Sequence, residues 1–267
     1  MTEAADRGPI LSVENVAVRF GGLVAIVDMS FAVYPGEVLG LIGPNGAGKT
    51  TAFNVITGFQ RPTQGRVRFK GVRLDGLKPH QVAGLGLVRT FQRTSVFPNN
   101  TVFENVLIGL HRRGRDTVLD TLLALPREKA SERALRDEAW SILEFVRLDR
   151  RASEFAGALS YGDQRLVGVA LALAAKPSML LLDEPVSGMN ASETAAFMRL
   201  LGAIRDQGIT ILLVEHDMPM VMGVSDRVVV LNYGRIIAEG PPADIQKDPE
   251  VIAAYLGHGA QRGRGHA

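Results

Sequence analysis

Residues Gly43-Pro44-Asn45-Gly46-Ala47-Gly48-Lys49-Thr50 fit the pattern G-x-x-x-x-G-K-[ST], whose chemistry is the holding of phosphate. The glycines let the backbone bend until successive N–H groups point at phosphate oxygens. A helix expected to follow, over Thr51 and the residues to Thr57, adds its positive N-terminal end. Lys49 then reaches the β- and γ-phosphates, and Thr50 offers its hydroxyl to Mg²⁺. Average composition produces such a match in roughly one chain of this length in a hundred. Its position here, between a wholly apolar strand (Val38 to Ile42) and a helix, is the one the chemistry requires.

Two further places carry groups that hydrolysis of a phosphate bond needs. Met179 to Leu182 is an apolar strand running into Asp183-Glu184. Asp183 suits Mg²⁺, directly or through a water, and Glu184 suits a general base that polarises the attacking water. Alone, two acids after an apolar strand read as a solvated loop start; downstream of a phosphate loop they read as machinery. Ile209 to Val214 ends the same way, in Glu215-His216. A lone histidine is more often structural. His216, however, falls at the carboxyl end of a neighbouring strand, where it can donate to a γ-phosphate oxygen and hold Glu184 and the water in line. The histidines at 80, 111, 258 and 266 have no such surroundings.

The elements that must position these groups are apolar strands ending in polar residues and followed by helices. That pattern indicates an α/β fold with a parallel sheet and its ligands at the strands' carboxyl ends. Val13, Val16, Val18 and Phe20, then Ala25 to Val33, predict two strands before the phosphate loop, and residues 66–74 alternate as a further strand. Residues 95–158 differ: TVFENVLIGLHRR and REKASERALRDEAWSILEFVRL have helical spacing and many charges, and predict a helical insertion. Asn190 with Glu193 predicts a capping box, and Asn232-Tyr233-Gly234 a hairpin turn. With 267 residues, 46% hydrophobic and 22% charged, the chain suits a folded α/β domain. A net charge of +2 without clustering gives no sign of nucleic acid. The absence of cysteine excludes disulfides and thiolate chemistry. No apolar run reaches the length of a spanning helix, and the first residues carry no secretory pattern, so work at a membrane would pass through a spanning partner.

The segment Leu159-Ser160-Tyr161-Gly162-Asp163-Gln164, just upstream of Asp183-Glu184, resembles the LSGGQ signature of ABC ATPases. The likeness spans residues 11–257. It implies a P-loop NTPase (RecA-like) core with an antiparallel β subdomain and an inserted α-helical subdomain. The ATPase domain would cover 11–240, a short helical extension 241–257, and a disordered tail 258–267. The bound groups implied are ATP and Mg²⁺. ATP would be held by Phe20, stacked on adenine, by the loop Gly43 to Thr51 (Thr51 included), and by Ser160 and Gly162 reaching the γ-phosphate of another subunit. Thr50, Gln92 and Asp183 would serve Mg²⁺; Lys49, Gln92, Glu184 and His216 would carry catalysis, Gln92 matching the Q-loop. For Phe20 a place in the strand core competes with the stacking role, and for Ser160 a plain helix N-cap is compatible with the phosphate contact. Ser187-Gly188-Met189-Asn190 matches the D-loop. Two residues depart from the family pattern: Tyr161 stands within the signature and Asn190 replaces the D-loop aspartate.

YGDQR, RTFQ with VFPNNTVFENV, and PPADIQKDPEVIAAYLG look like the ATP-binding subunits of bacterial branched-chain amino acid importers. The implied partners are a second ATP-binding subunit (self or paralogue), transmembrane permease subunits and, indirectly, a solute-binding protein, at the cytoplasmic face of the membrane. The family groove for a permease helix would lie near Gln92 to Phe97 and residues 102–113. Importers of amides, urea or small carboxylates are the alternative. ABC ATPases of DNA repair or translation, and a nucleotide-binding module that never turns over, are the rivals outside transport.

Overall fold

The computed structural model describes residues 8–90, 96–111 and 126–262. It divides into two compact units, one drawn from Met1–Arg89, Ser178–Glu184 and Thr194–Ala267, the other from Thr90–Pro177 and Pro185–Glu193.

The first unit contains one ten-stranded sheet in the order β5-β4-β1-β2-β10-β9-β3-β8-β7-β6. Its parallel part is β3 (Val38–Ile42), β6 (Leu87–Arg89), β7 (Met179–Asp183), β8 (Thr210–Val214) and β9 (Arg227–Asn232). β3, β7 and β8 are buried at every residue, which is why their sequences are continuous apolar runs and not alternating ones. β1 (Leu11–Phe20), β2 (Leu23–Val33), β4 (Gln64–Phe69) and β5 (Val72–Arg73) form the antiparallel part. β10 (Arg235–Gly240) joins the two parts, antiparallel to β9 and bridged in parallel to β2. Tyr233 (φ 43°) and Gly234 (φ 73°) make the β9–β10 turn, the double positive φ of a type I′ hairpin. This mixed α/β architecture is the one expected from the sequence.

Helix α1 (Lys49–Ile56) follows β3 and buries Phe53 and Ile56 in a core with Leu39, Leu41, Leu181 and Leu212. It starts two residues earlier than its sequence suggests, because Gly48 at φ 109° caps it. The second unit is helical. α3 (Val102–His111) packs with α4 (Pro126–Phe145) and α5 (Tyr161–Ala174), after α2 (Pro79–Gly84) of the first unit. Thr101 and Glu104 close a capping box at the start of α3. The fully buried Asn105 clamps the preceding loop, donating to the Phe97 and Thr101 carbonyls at 3.0 and 2.9 Å and accepting from the Phe97 N–H at 2.8 Å. The remaining helices are α6 (Ala191–Asp206), α7 (Met218–Val224), α8 (Pro242–Ile245) and α9 (Pro249–Arg262). Among the described residues, no helix is long and apolar enough to cross a membrane.

Candidate functional site

The loop from Gly43 to Gly48 joins the end of β3 to the start of α1, and within it the Ala47 N–H donates to the Pro44 carbonyl at 3.1 Å. Its shape is enforced from behind. A Cβ on Gly43 would run into the Leu231 carbonyl oxygen, and one on Gly48 would stand 2.9 Å from the Ala25 carbonyl oxygen. Gly234 in the β9–β10 turn donates its N–H to the Ala47 carbonyl at 2.9 Å. Gly43, Pro44, Ala47 and Lys49 are buried, Thr51 is half-buried, and Asn45, Gly46 and Thr50 are exposed. Lys49 Nζ donates to the carbonyls of Gly43 (2.7 Å) and Pro44 (3.0 Å). Burial pulls the Lys49 ammonium below its usual pKa, while the negative charges of Glu184 and Asp183 oppose that pull. The loop lysine and both acids therefore share one electrostatic site.

Asp183 is the last residue of β7 and is buried; Glu184 follows in left-handed conformation at φ 47°. A non-glycine residue costs about 1–2 kcal/mol there. The Glu184 N–H donates to the Val214 carbonyl at 2.8 Å, which ties the end of β7 to the end of β8. Its Oε1 then lies 2.8 Å from His216 Nε2. His216 is set in turn by its own N–H, which donates to the buried Glu215 carboxylate at 2.9 Å. Asp217 caps α7 through the Met220 N–H at 2.9 Å.

Phe20 ends β1 opposite Leu23 and is 48% exposed, so it is not a strand core residue. Its ring is available for stacking. Gln92 lies outside the described residues. In the second unit Ser160 is the N-cap of α5, accepting from the Asp163 N–H at 3.2 Å and donating to the Asp163 carboxylate at 2.7 Å. Gly162 is buried; a Cβ there would meet the Glu193 carboxylate at 3.4 Å. Asn190 accepts from the N–H groups of Ser192 (2.9 Å) and Glu193 (3.0 Å), and Glu193 accepts from the Asn190 N–H (2.9 Å), so the capping box closes.

Two sets of contacts have no counterpart in the sequence pattern. Arg89, at the end of β6, donates to Asp183 Oδ2 at 2.6 Å and to Asn54 of α1 at 2.8 Å. A cation at the end of an apolar strand was its only signal; the partner stands 94 residues away. The second is Tyr161, whose ring lies against Gly188: a Cβ on that glycine would stand 3.2 Å from it. The same ring carries the Arg165 guanidinium, 4.8 Å from its centroid.

Residues 26–187, more than half of the chain, match the ABC transporter family. The chain belongs to that family. As an ABC ATPase it binds nucleotide and hydrolyses ATP in coupling to transport. Residues 235–261 match a second family description, the branched-chain amino acid ATP-binding cassette transporter. The chain is 43% identical over 250 residues to the high-affinity branched-chain amino acid transport ATP-binding protein LivG of Escherichia coli (strain K12), covering 93% of this chain and 98% of LivG. Its structure is similar to the ADP conformation of MJ1267, an ATP-binding cassette of an ABC transporter. The TM-score there is 0.82 at 35% identity, over 94% of this chain and 99% of that one. It is also similar to a dimeric post-hydrolysis state of the cassette MJ0796 bound to ADP and Pi, with TM-score 0.72 at 25% identity, over 87% and 98% of the two chains.

Proposed function

We propose that this ABC ATPase energises an importer of branched-chain or other hydrophobic amino acids from the cytoplasmic face of the membrane. The observation that carries the chemistry is the 2.8 Å contact between Glu184, just past the end of β7, and His216, just past the end of β8. In this reading Lys49 and the loop amides of Gly43 to Thr51 grip the β- and γ-phosphates. Phe20 stacks on adenine. Glu184 draws the proton of the attacking water, and His216 keeps that carboxylate in place.

The donor set suits Mg²⁺. A hydroxyl (Thr50) and a carboxylate (Asp183) are hard oxygen ligands, and Mg²⁺ travelling with a phosphate needs only one or two from the protein. Thr50, Asp183 and Gln92 would hold it, and the ion would offset charge building on the phosphate oxygens. Ser160 and Gly162 of a second ATP-binding subunit, at the N-terminus of its α5, would complete each site in a head-to-tail pair. The dimeric relative supports that pairing. The helical insertion over 95–158 would receive a helix of the permease.

Amino acid import rests on the likeness to LivG and on the C-terminal match at 235–261. The test is co-purification from native membranes, then reconstitution of the isolated complex with its solute-binding protein. Leucine, isoleucine or valine should stimulate ATP hydrolysis and enter the vesicles. Stimulation by amides, urea or small carboxylates alone would overturn the amino-acid assignment, and a complex without a permease would overturn transport altogether.

A further inference from the structure

Arg89 has the features of a built position. Its side chain is 9% exposed and that of Asp183 6%, so both charges are out of water. Burying such a pair brings little net stability over well-packed apolar residues. What the arrangement gives is geometry. Both terminal nitrogens of the guanidinium are engaged: Nη2 on Asp183 Oδ2 at 2.6 Å, Nη1 on Asn54 Oδ1 at 2.8 Å and, at 3.5 Å, on Thr57 Oγ1. Its plane lies over the Phe53 ring, 5.4 Å from the centroid. Phe53 and Asn54 belong to α1, the helix that opens with Lys49 and Thr50, and Thr57 caps its end. One permanently charged group thus fixes the carboxylate of β7 to the helix that carries the phosphate loop.

We infer that Arg89 is a positioning residue for the divalent cation, committing Oδ2 of Asp183 to the protein and leaving Oδ1 for Mg²⁺ or its water. This rests on the reading of Asp183 as a Mg²⁺ residue. The guanidinium does not touch nucleotide. It removes the carboxylate's freedom to rotate, and it holds Asp183 in register with Thr50 through Asn54. Partners of this kind, standing behind a metal ligand, set metal affinity by about 10–100-fold.

The test uses Mn²⁺ as the probe and ADP as the nucleotide, so no turnover is needed. Free Mn²⁺ is followed by electron paramagnetic resonance in the presence of protein and ADP, and ADP affinity is measured separately in EDTA. Arg89→Met should weaken Mn²⁺ binding about tenfold or more while leaving ADP affinity in EDTA unchanged. Arg89→Lys keeps the charge and loses the fork, and Asn54→Ala keeps the ion pair and loses its brace; both should fall between wild type and Arg89→Met. These milder variants decide the matter if Arg89→Met does not fold. Asp183→Asn separates the two layers of the reading. If it leaves Mn²⁺ affinity unchanged, Asp183 does not serve the cation and the site assignment fails. If it weakens Mn²⁺ while the Arg89 and Asn54 variants leave it unchanged or tighter, the positioning role fails. A parallel loss of ADP affinity in EDTA would also overturn it, because Arg89 would then only hold the fold together.

Discussion

At the scale of the residue, the pair of Glu184 and His216 is one unit, joined at 2.8 Å. Glu184→Gln should therefore lower phosphate release by about a hundredfold or more, with ATP binding retained. His216→Ala should lower it as well, and the double variant should be scarcely slower than the worse single one, because groups acting as a unit are not additive. A steady-state phosphate assay on the purified variants checks both, and strictly multiplicative losses would separate the roles. The residue types of this site were legible in the sequence, since strand ends dictate where Asp183, Glu184 and His216 go. Three things were not. The left-handed φ of Glu184 leaves no mark on residue type. Phe20 reads equally as core or as stacking ring until its exposure is known. Arg89 needs a partner that only the pairing of β6 with β7 brings near.

At the scale of the element, the phosphate loop depends on a turn nearly two hundred residues downstream. Gly234 donates to Ala47, and its carbonyl accepts from the Val27 N–H at 2.9 Å. A Cβ at 234 would stand 2.7 Å from the Ala25 carbonyl oxygen, on a backbone already at positive φ. Gly234→Val should cost more than about 1 kcal/mol of stability and should also weaken ATP binding, though residue 234 touches no nucleotide. Equilibrium denaturation and nucleotide titration read the two effects. An unchanged affinity would mean that the loop holds its shape without the turn. Asn190 is the simpler case. As a cap that accepts two N–H bonds, its replacement by alanine should cost about 1 kcal/mol, read as a lower denaturation midpoint. The cap was plain in the sequence because its partner is three residues away, whereas the turn's hold on the loop follows from strand order.

At the scale of the whole molecule, two copies should close when ATP is bound and not consumed. Glu184→Gln with ATP and Mg²⁺ should double the mass seen by X-ray scattering, and adding Ser160→Ala should weaken that association. Failure to dimerise with native partner subunits present would remove the shared-site reading. Membership of the fold class followed from the run of apolar strands and helices. The order of the strands did not, because a buried apolar run carries no address for its neighbour. That order has a consequence for synthesis. The central strand β3 pairs with residues 211–214 on one side and 227–230 on the other. It leaves the ribosome roughly 10–40 s before its second neighbour at ordinary elongation rates. Through that interval a wholly apolar segment has bare hydrogen-bonding edges, the condition that invites misassembly and the attention of chaperones. Nascent chains halted before residue 227 should consequently stay protease-sensitive and unable to retain nucleotide, with both properties changing together once the last neighbour of β3 has emerged.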